Sequence, residues 1–180
     1  TAPSVDRYGL VWVSSSKQSG AVWVLAAGRD PIEVPVPLDG EIRKIAVSPD
    51  GARAALLSKD EGGTQVHVGS IARTLAESTY ALDSLSQVTV FPEDVVDVTW
   101  VGETTIAALV ASEDGGASVR LFALGGWPES LGAPDQVRHI TAASTVGSLV
   151  VQRPSGEAFQ RAGAAWIELS EDIEQFSYAG

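Results

Sequence analysis

Ile42-Arg-Lys-Ile-Ala-Val-Ser-Pro-Asp-Gly-Ala-Arg-Ala-Ala-Leu-Leu-Ser58 reads as apolar strand, tight turn, apolar strand. Pro49 presets φ for the first corner of a turn, and Asp50 suits the second. Gly51 takes the left-handed position that follows and lets a short hairpin close with a bulge. A hairpin of this kind belongs to one blade of a β-propeller. Any hairpin can use Pro-Asp-Gly, so recurrence along the chain gives the assignment its weight.

Upstream, Leu10–Val13 and Ala21–Ala26 form a strand pair around the Ser-rich turn 14–20. Ile32–Val36 makes an edge strand, because Pro35 cannot donate to a ladder. Residues 1–4 read as the frayed start of a blade that lacks its inner strand. Strands Ile42–Val47 and Ala52–Ser58 follow, then the acidic glycine turn 59–63 and the strand Gln65–Val68. Ile71–Glu77 is compatible with a helix or with a long strand and loop. Gln87–Phe91 is an edge strand closed by Pro92.

The pattern then restarts as Val95–Trp100, the turn 101–104, Thr105–Val110, the turn 112–116 and Ser118–Phe122. A shift of 53 positions, the distance from Asp50 to Glu103, superposes Ala54, Ala55, Leu56, Gly62, Gly63 and Val66 on Ala107, Ala108, Leu109, Gly115, Gly116 and Val119 without a gap. A weaker third copy runs from Val137 through Ser148–Gln152 and Glu157–Gln160 to Trp166–Leu169, and Phe176-Ser-Tyr178 adds a last strand. Copies of this length with short strands mark propeller blades and not helical solenoids. Runs such as Ala54–Leu57 and Ile106–Val110 are apolar on both faces, as expected of sheets covered on both sides. The chain therefore reads as an all-β, partial β-propeller of about four blade-like units of four-stranded antiparallel sheet, near 1–40, 41–92, 93–134 and 135–180. An incomplete ring is expected to pair with itself or to rest on upstream blades.

Composition narrows the function. Lys plus Arg is 12 against 23 Asp plus Glu, a net charge of −11. That leaves no basic footprint for nucleic acid, and an acidic surface is repelled from anionic lipid. The absence of Cys excludes disulfides, thiolate nucleophiles and Cys-ligated zinc. The chain also contains no Met and opens on Thr1, as a trimmed piece of a longer protein would. No apolar run approaches a membrane span.

The order of motifs resembles the C-terminal β-propeller of the actinobacterial lipoprotein LpqB family. The matching pieces are Pro3–Trp12, Ile42–Leu56 with its Ser-Pro-Asp-Gly turn, Val95–Trp100 and Phe176–Gly180. The resemblance implies a non-enzymatic, extracytoplasmic protein-interaction module. The parent it implies is a lipid-anchored envelope protein with an upstream domain and a GerMN-type domain, acting beside the sensor histidine kinase of the Mtr two-component system. The partner implied is the extracellular domain of that kinase, and attachment to the membrane is through an upstream anchor only. A carbohydrate- or peptidoglycan-binding propeller, or an accessory domain of a glycosidase or peptidase, is the alternative.

No catalytic residue, cofactor or metal site is assigned. No Gly-x-Ser-x-Gly elbow occurs. The acidic turns at Asp60-Glu61 and Glu113-Asp114 lack the alternating ligands of a calcium loop. His67, between two valines, is expected to face solvent. In the inner strands Ile45, Val98 and Ile140 align as core, as do Val47, Trp100 and Ala142. The opposite face then sets Lys44, Asp97 and His139 at equivalent positions of successive blades. Such a set lines a channel or ties neighbouring blades together, for example Lys44 to Asp97, and the tie is the preferred role. Trp12, Trp23, Trp100 and Trp166 lie within strands and read as core. Trp127, in the loop Leu124-Gly-Gly-Trp-Pro128, is the expected exposed contact residue.

Overall fold

A computed structural model describes residues 3–15, 20–74, 79–90, 94–112, 114–143 and 145–170. Among these the only helical element is a 3₁₀ turn at Val146–Ser148. The chain forms two compact units, Thr1–Pro92 and Glu93–Ala179. Each holds two four-stranded antiparallel sheets, so the protein is an all-β chain of four propeller blades.

In the first unit, β1 (Ser4–Val5), β2 (Val11–Ser14), β3 (Val22–Leu25) and β4 (Ile32–Val34) form one sheet in chain order. The first blade thus has an inner strand after all. Two residues suffice, Ser4 opposite Trp12 and Val5 opposite Val11, because the Asp6–Gly9 turn brings the chain straight back. The second sheet is β5 (Glu41–Val47), β6 (Arg53–Asp60), β7 (Gly63–Thr74) and β8 (Thr79–Val90). Its outer strands are twelve residues each, so the helical option for Ile71–Glu77 gives way to strand over the described residues. Ile71 and Leu82 pair across this hairpin and are buried, and their apolar surface is what the long strands carry into the core.

The Ser48–Arg53 turn closes as its sequence dictates. Gly51 N–H donates to Ser48 O at 2.7 Å, and Gly51 has φ +69°. Ser48 is fully buried, and its Oγ accepts from Arg53 N at 3.0 Å. Asp50 Oδ1 accepts from Ala52 N at 2.9 Å. Burial pushes the Asp50 carboxyl up, but the Ser48 and Ala52 hydrogen bonds and the Arg53 and Arg7 charges outweigh it and hold the group below its ordinary range.

The second unit contains β9 (Asp94–Val101), β10 (Thr105–Ala111), β11 (Ala117–Ala123) and β12 (Glu129–Gly132) in one sheet. The other is β13 (His139–Thr141), β14 (Val150–Gln152), β15 (Ala158–Ala162) and β16 (Ala165–Ser170). The proposed final strand at Phe176–Tyr178 lies outside the described residues.

Ladder register refines the repeat. Arg43 is an extra residue between the pairs Ile42↔Ser58 and Lys44↔Leu57. Val96 is extra between Val95↔Val110 and Asp97↔Leu109. These two bulges are 53 positions apart, so the inner strands superpose with the shift read from the sequence. The second strands do not. Ile45 faces Leu56, whereas its counterpart Val98 faces Ala108. Six residues separate the paired Val47 and Ala54 but only five separate their counterparts Trp100 and Ile106, and the following hairpin restores the count, since Leu56 faces His67 and Ala108 faces Arg120. The gapless superposition of Ala-Ala-Leu is therefore one residue out of structural register.

Ala54–Ser58 and Ile106–Val110 are buried without alternation, as blade strands covered on both faces should be. Trp12, Val24, Ile45, Leu56 and Leu82 belong to the core of the first unit. Leu109, Val119, Val137, Leu149 and Val151 belong to that of the second.

Candidate functional site

Of the three aligned polar residues, Asp97 and His139 come together in the second unit. Asp97 sits immediately after the Val96 bulge and is 4% exposed. Its Oδ1 accepts from Val98 N and its Oδ2 from Ile140 N, both at 2.9 Å. The second bond ties the inner strand of the third blade to that of the fourth. His139 Nδ1 lies 3.7 Å from Asp97 Oδ2, with its side chain largely in solvent. Lys44, half-buried on β5, belongs to the first unit. The bond described for Asp97 on the neighbouring inner strand thus runs within the second unit, to a backbone amide. The first unit has a comparable clip, in which Ser4 Oγ accepts from Val47 N at 2.9 Å.

His67 does not face solvent. It is 8% exposed, beside buried Val66 and Val68. Desolvation lowers its pKa below 6.5, and Asp60 opposes the shift without cancelling it. The expectation of an exposed face assumed alternation, but this part of the third blade strand is covered on both sides. Ile45, Val98 and Ile140 are core, as are Val47 and Trp100, whereas Ala142 is only half-buried. Trp12 and Trp100 are buried, but Trp23 and Trp166 are half-buried. Trp127 is 92% exposed, just beyond a turn in which Gly126 N–H donates to Ala123 O.

The acidic turns close themselves. Asp60 Oδ1 accepts from Gly62 N at 2.7 Å, and Asp114 Oδ1 from Gly116 N at 3.0 Å. Glu113 lies outside the described residues. Among the described residues no three His, Asp or Glu side chains converge on a point that would hold a metal.

One cluster was not singled out by sequence reasoning. Asp6, with its side chain wholly buried, accepts from Tyr8 N and Leu10 N through Oδ1 and from Trp12 Nε1 at 3.1 Å through Oδ2. Arg73, from β7 of the neighbouring blade, reaches the same Oδ2 at 2.9 Å. Its guanidinium carbon lies 4.8 Å from the Tyr8 ring centre, and that of Arg7 lies 5.6 Å away. The available signal was Asp6-Arg-Tyr-Gly9, a turn signature immediately before a strand. Its partner Arg73 is 67 residues away, beyond the reach of any local pattern.

Residues 1–175 match the family described as the lipoprotein LpqB β-propeller domain. The chain belongs to this LpqB propeller family. It is 28% identical over 190 residues to a lipoprotein LpqB of Streptomyces avermitilis, covering all of this chain and 31% of the relative. A lipoprotein LpqB of Streptomyces coelicolor is 30% identical over 89% of this chain and 29% of its own. That of Thermobifida fusca is 34% identical over 65% of this chain and 19% of its own. The LpqB propeller chain thus spans less than a third of each of these proteins. Among solved structures, YCF48 from Cyanidioschyzon merolae has a TM-score of 0.61 at 14% identity, covering 89% of this chain and 47% of that one. TolB from Acinetobacter baumannii has a TM-score of 0.59 at 15% identity, covering 88% and 39%. At such identities the likeness shows the propeller fold of this LpqB domain and nothing of its chemistry.

Proposed function

We propose that this LpqB propeller is a non-enzymatic protein-interaction module at the extracytoplasmic face of the cell membrane, held there by the lipid anchor of a longer envelope lipoprotein. On this reading it contacts the extracellular domain of a sensor histidine kinase of the Mtr two-component type and modulates it. The observation that carries the proposal is the family match over residues 1–175, to relatives named lipoproteins. The side-chain chemistry supports it. Among the described residues the two buried aspartates, Asp6 and Asp97, direct their oxygens to backbone amides, an indole and a guanidinium within the fold. The test is a pull-down of the intact chain with the purified extracellular domain of the kinase. Saturable retention is expected, and no retention by a folded chain would reject the partnership.

Trp127 favours a second reading, because a 92% exposed indole on a glycine-rich loop is a ready platform for a sugar ring. Quenching of tryptophan fluorescence by cell-wall oligosaccharide, lost in Trp127→Ala, would select that reading over the first.

A further inference from the structure

The Asp6–Gly9 turn is held far more firmly than a surface connection requires. Asp6 N–H donates to Leu10 O and Gly9 N–H to Asp6 O, both at 3.0 Å. The Asp6 carboxylate adds bonds from two backbone amides of the turn, from the Trp12 indole and from Arg73. What this framework holds out is Tyr8, 61% exposed, with Arg7 beside it and Val5, 58% exposed, three residues upstream of the tyrosine. Arg73 lies against the Tyr8 ring and keeps its Nε buried without a hydrogen-bond partner, a cost that the fold bears at this one place in the cluster.

The second blade contributes the neighbouring turn. A Cβ on Gly51 would meet Tyr8 Cε2 at 3.1 Å, Arg73 Nη2 at 3.2 Å and Arg7 Cγ at 3.4 Å. The Ser-Pro-Asp-Gly turn is thus pressed against the tyrosine and both arginines, and glycine is what permits the approach. Arg53 is bound to Asp50 on the same turn at 3.6 Å, and Asp50 feels the charge of Arg7. Among the described residues Asp6 holds Arg73 and Asp50 holds Arg53, and Arg7 is the exposed guanidinium of the cluster, in a chain whose net charge is −11.

A rigid, exposed tyrosine flanked by arginines has the composition of an interface hot spot, and its rigidity removes ordering cost on binding. We infer that the Arg7–Tyr8–Arg73 platform, with the Ser-Pro-Asp-Gly turn as its floor, is a docking surface for a carboxylate-rich segment of a protein partner. Tyr8 supplies the apolar contact and Arg7 the charge that fixes the register. A partner bearing acidic side chains meets repulsion over most of this chain and attraction here. The inference rests on the interaction-module reading, and it names a surface where that reading names only a partner.

The test is titration of the intact, nitrogen-15-labelled chain with an end-capped hexaglutamate peptide, followed by amide and arginine side-chain resonances. Saturable shifts are expected at Arg7, Tyr8, Gly9 and Gly51, and at the Arg73 Nε–H. Arg7→Glu should weaken binding about tenfold, the effect of losing one close charge pair. Arg29→Glu, on an exposed turn elsewhere in the first unit, should change binding less than about twofold. Arg7 and Arg29 are both exposed, and an unchanged melting temperature confirms folding of each variant. Shifts spread evenly over all exposed arginines, or unaffected by Arg7→Glu, would overturn the inference. So would saturation by inorganic phosphate or by phosphatidylglycerol vesicles without a response to hexaglutamate. Retention of the kinase domain by Arg7→Glu at full strength would sink this surface while leaving the interaction module standing.

Discussion

At the scale of single residues, the fold depends on two buried carboxylates that do different amounts of work. Asp97 accepts from two backbone amides, one of them Ile140 N on the neighbouring blade. Asp97→Ala leaves that amide buried without a partner and should cost about 1–3 kcal/mol. Asp6 gathers two amides, an indole and a guanidinium, and its loss strands the Arg73 charge. Asp6→Ala should therefore cost more, about 3–5 kcal/mol. Urea melts of both variants check the order, and an Asp97→Ala chain as stable as the parent would remove the strand-tying role. His67 makes a prediction of opposite chemistry. Its folded pKa lies below 6.5, so the unfolded chain takes up the proton first as pH falls. Its contribution is full above 6.5 and is lost progressively as pH drops toward and through the lowered value. Melting temperature should thus fall between about pH 7.5 and about pH 5, and His67→Gln should flatten that part of the curve. An identical slope in His67→Gln would place the titration elsewhere.

At the scale of strands and hairpins, much was legible. Ile42–Ser58 announces its hairpin because Pro49, Asp50 and Gly51 each fit one backbone state. The repeat at 53 positions gave the inner strands correctly, down to bulges at Arg43 and Val96 that no pattern advertises. It failed by one residue in the second strands, because identical Ala-Ala-Leu triplets attract an alignment more strongly than a shortened turn repels it. His67 was misplaced because alternation is a rule for strands with one wet face. The Asp6–Arg73 pair was invisible because only folding brings residues so far apart in the chain together. The fourth strand of the third blade, Glu129–Gly132, was not read, since it is short and exposed apart from the half-buried Leu131 and carries no apolar period. The corrected register makes its own prediction. Ala108, fully buried, stands where the second blade has Leu56. The wall around it is built for a methyl group, so Ala108→Leu should overpack the blade and cost about 1–3 kcal/mol. Denaturant unfolding measures this, and a neutral or stabilising result would restore the gapless superposition.

At the scale of the whole molecule, charge makes two demands that salt separates. A net charge of −11 on 180 residues means self-repulsion in the compact state, and added salt relieves it. The ion pairs act the other way, but those exposed to salt are weak in water. Arg43–Glu41 is exposed, and Arg153–Glu157 is about one-third exposed on each side. Asp6–Arg73 is buried and therefore poorly screened. Repulsion should dominate, so the melting temperature should rise as sodium chloride goes from about 10 mM to about 150 mM, over which the screening length shrinks from about 30 Å to about 8 Å. Docking on Arg7 and Tyr8 should respond with the opposite sign, because salt screens the attraction of an acidic segment to the exposed guanidinium charge. Differential scanning calorimetry and the hexaglutamate titration, run over the same salt series, read the two effects independently. A melting temperature that falls with salt would mean that local pairs and not net repulsion set the electrostatic balance of this chain. Binding that strengthens with salt would mean that the tyrosine platform works through its apolar face alone, and the arginines would then be scaffold.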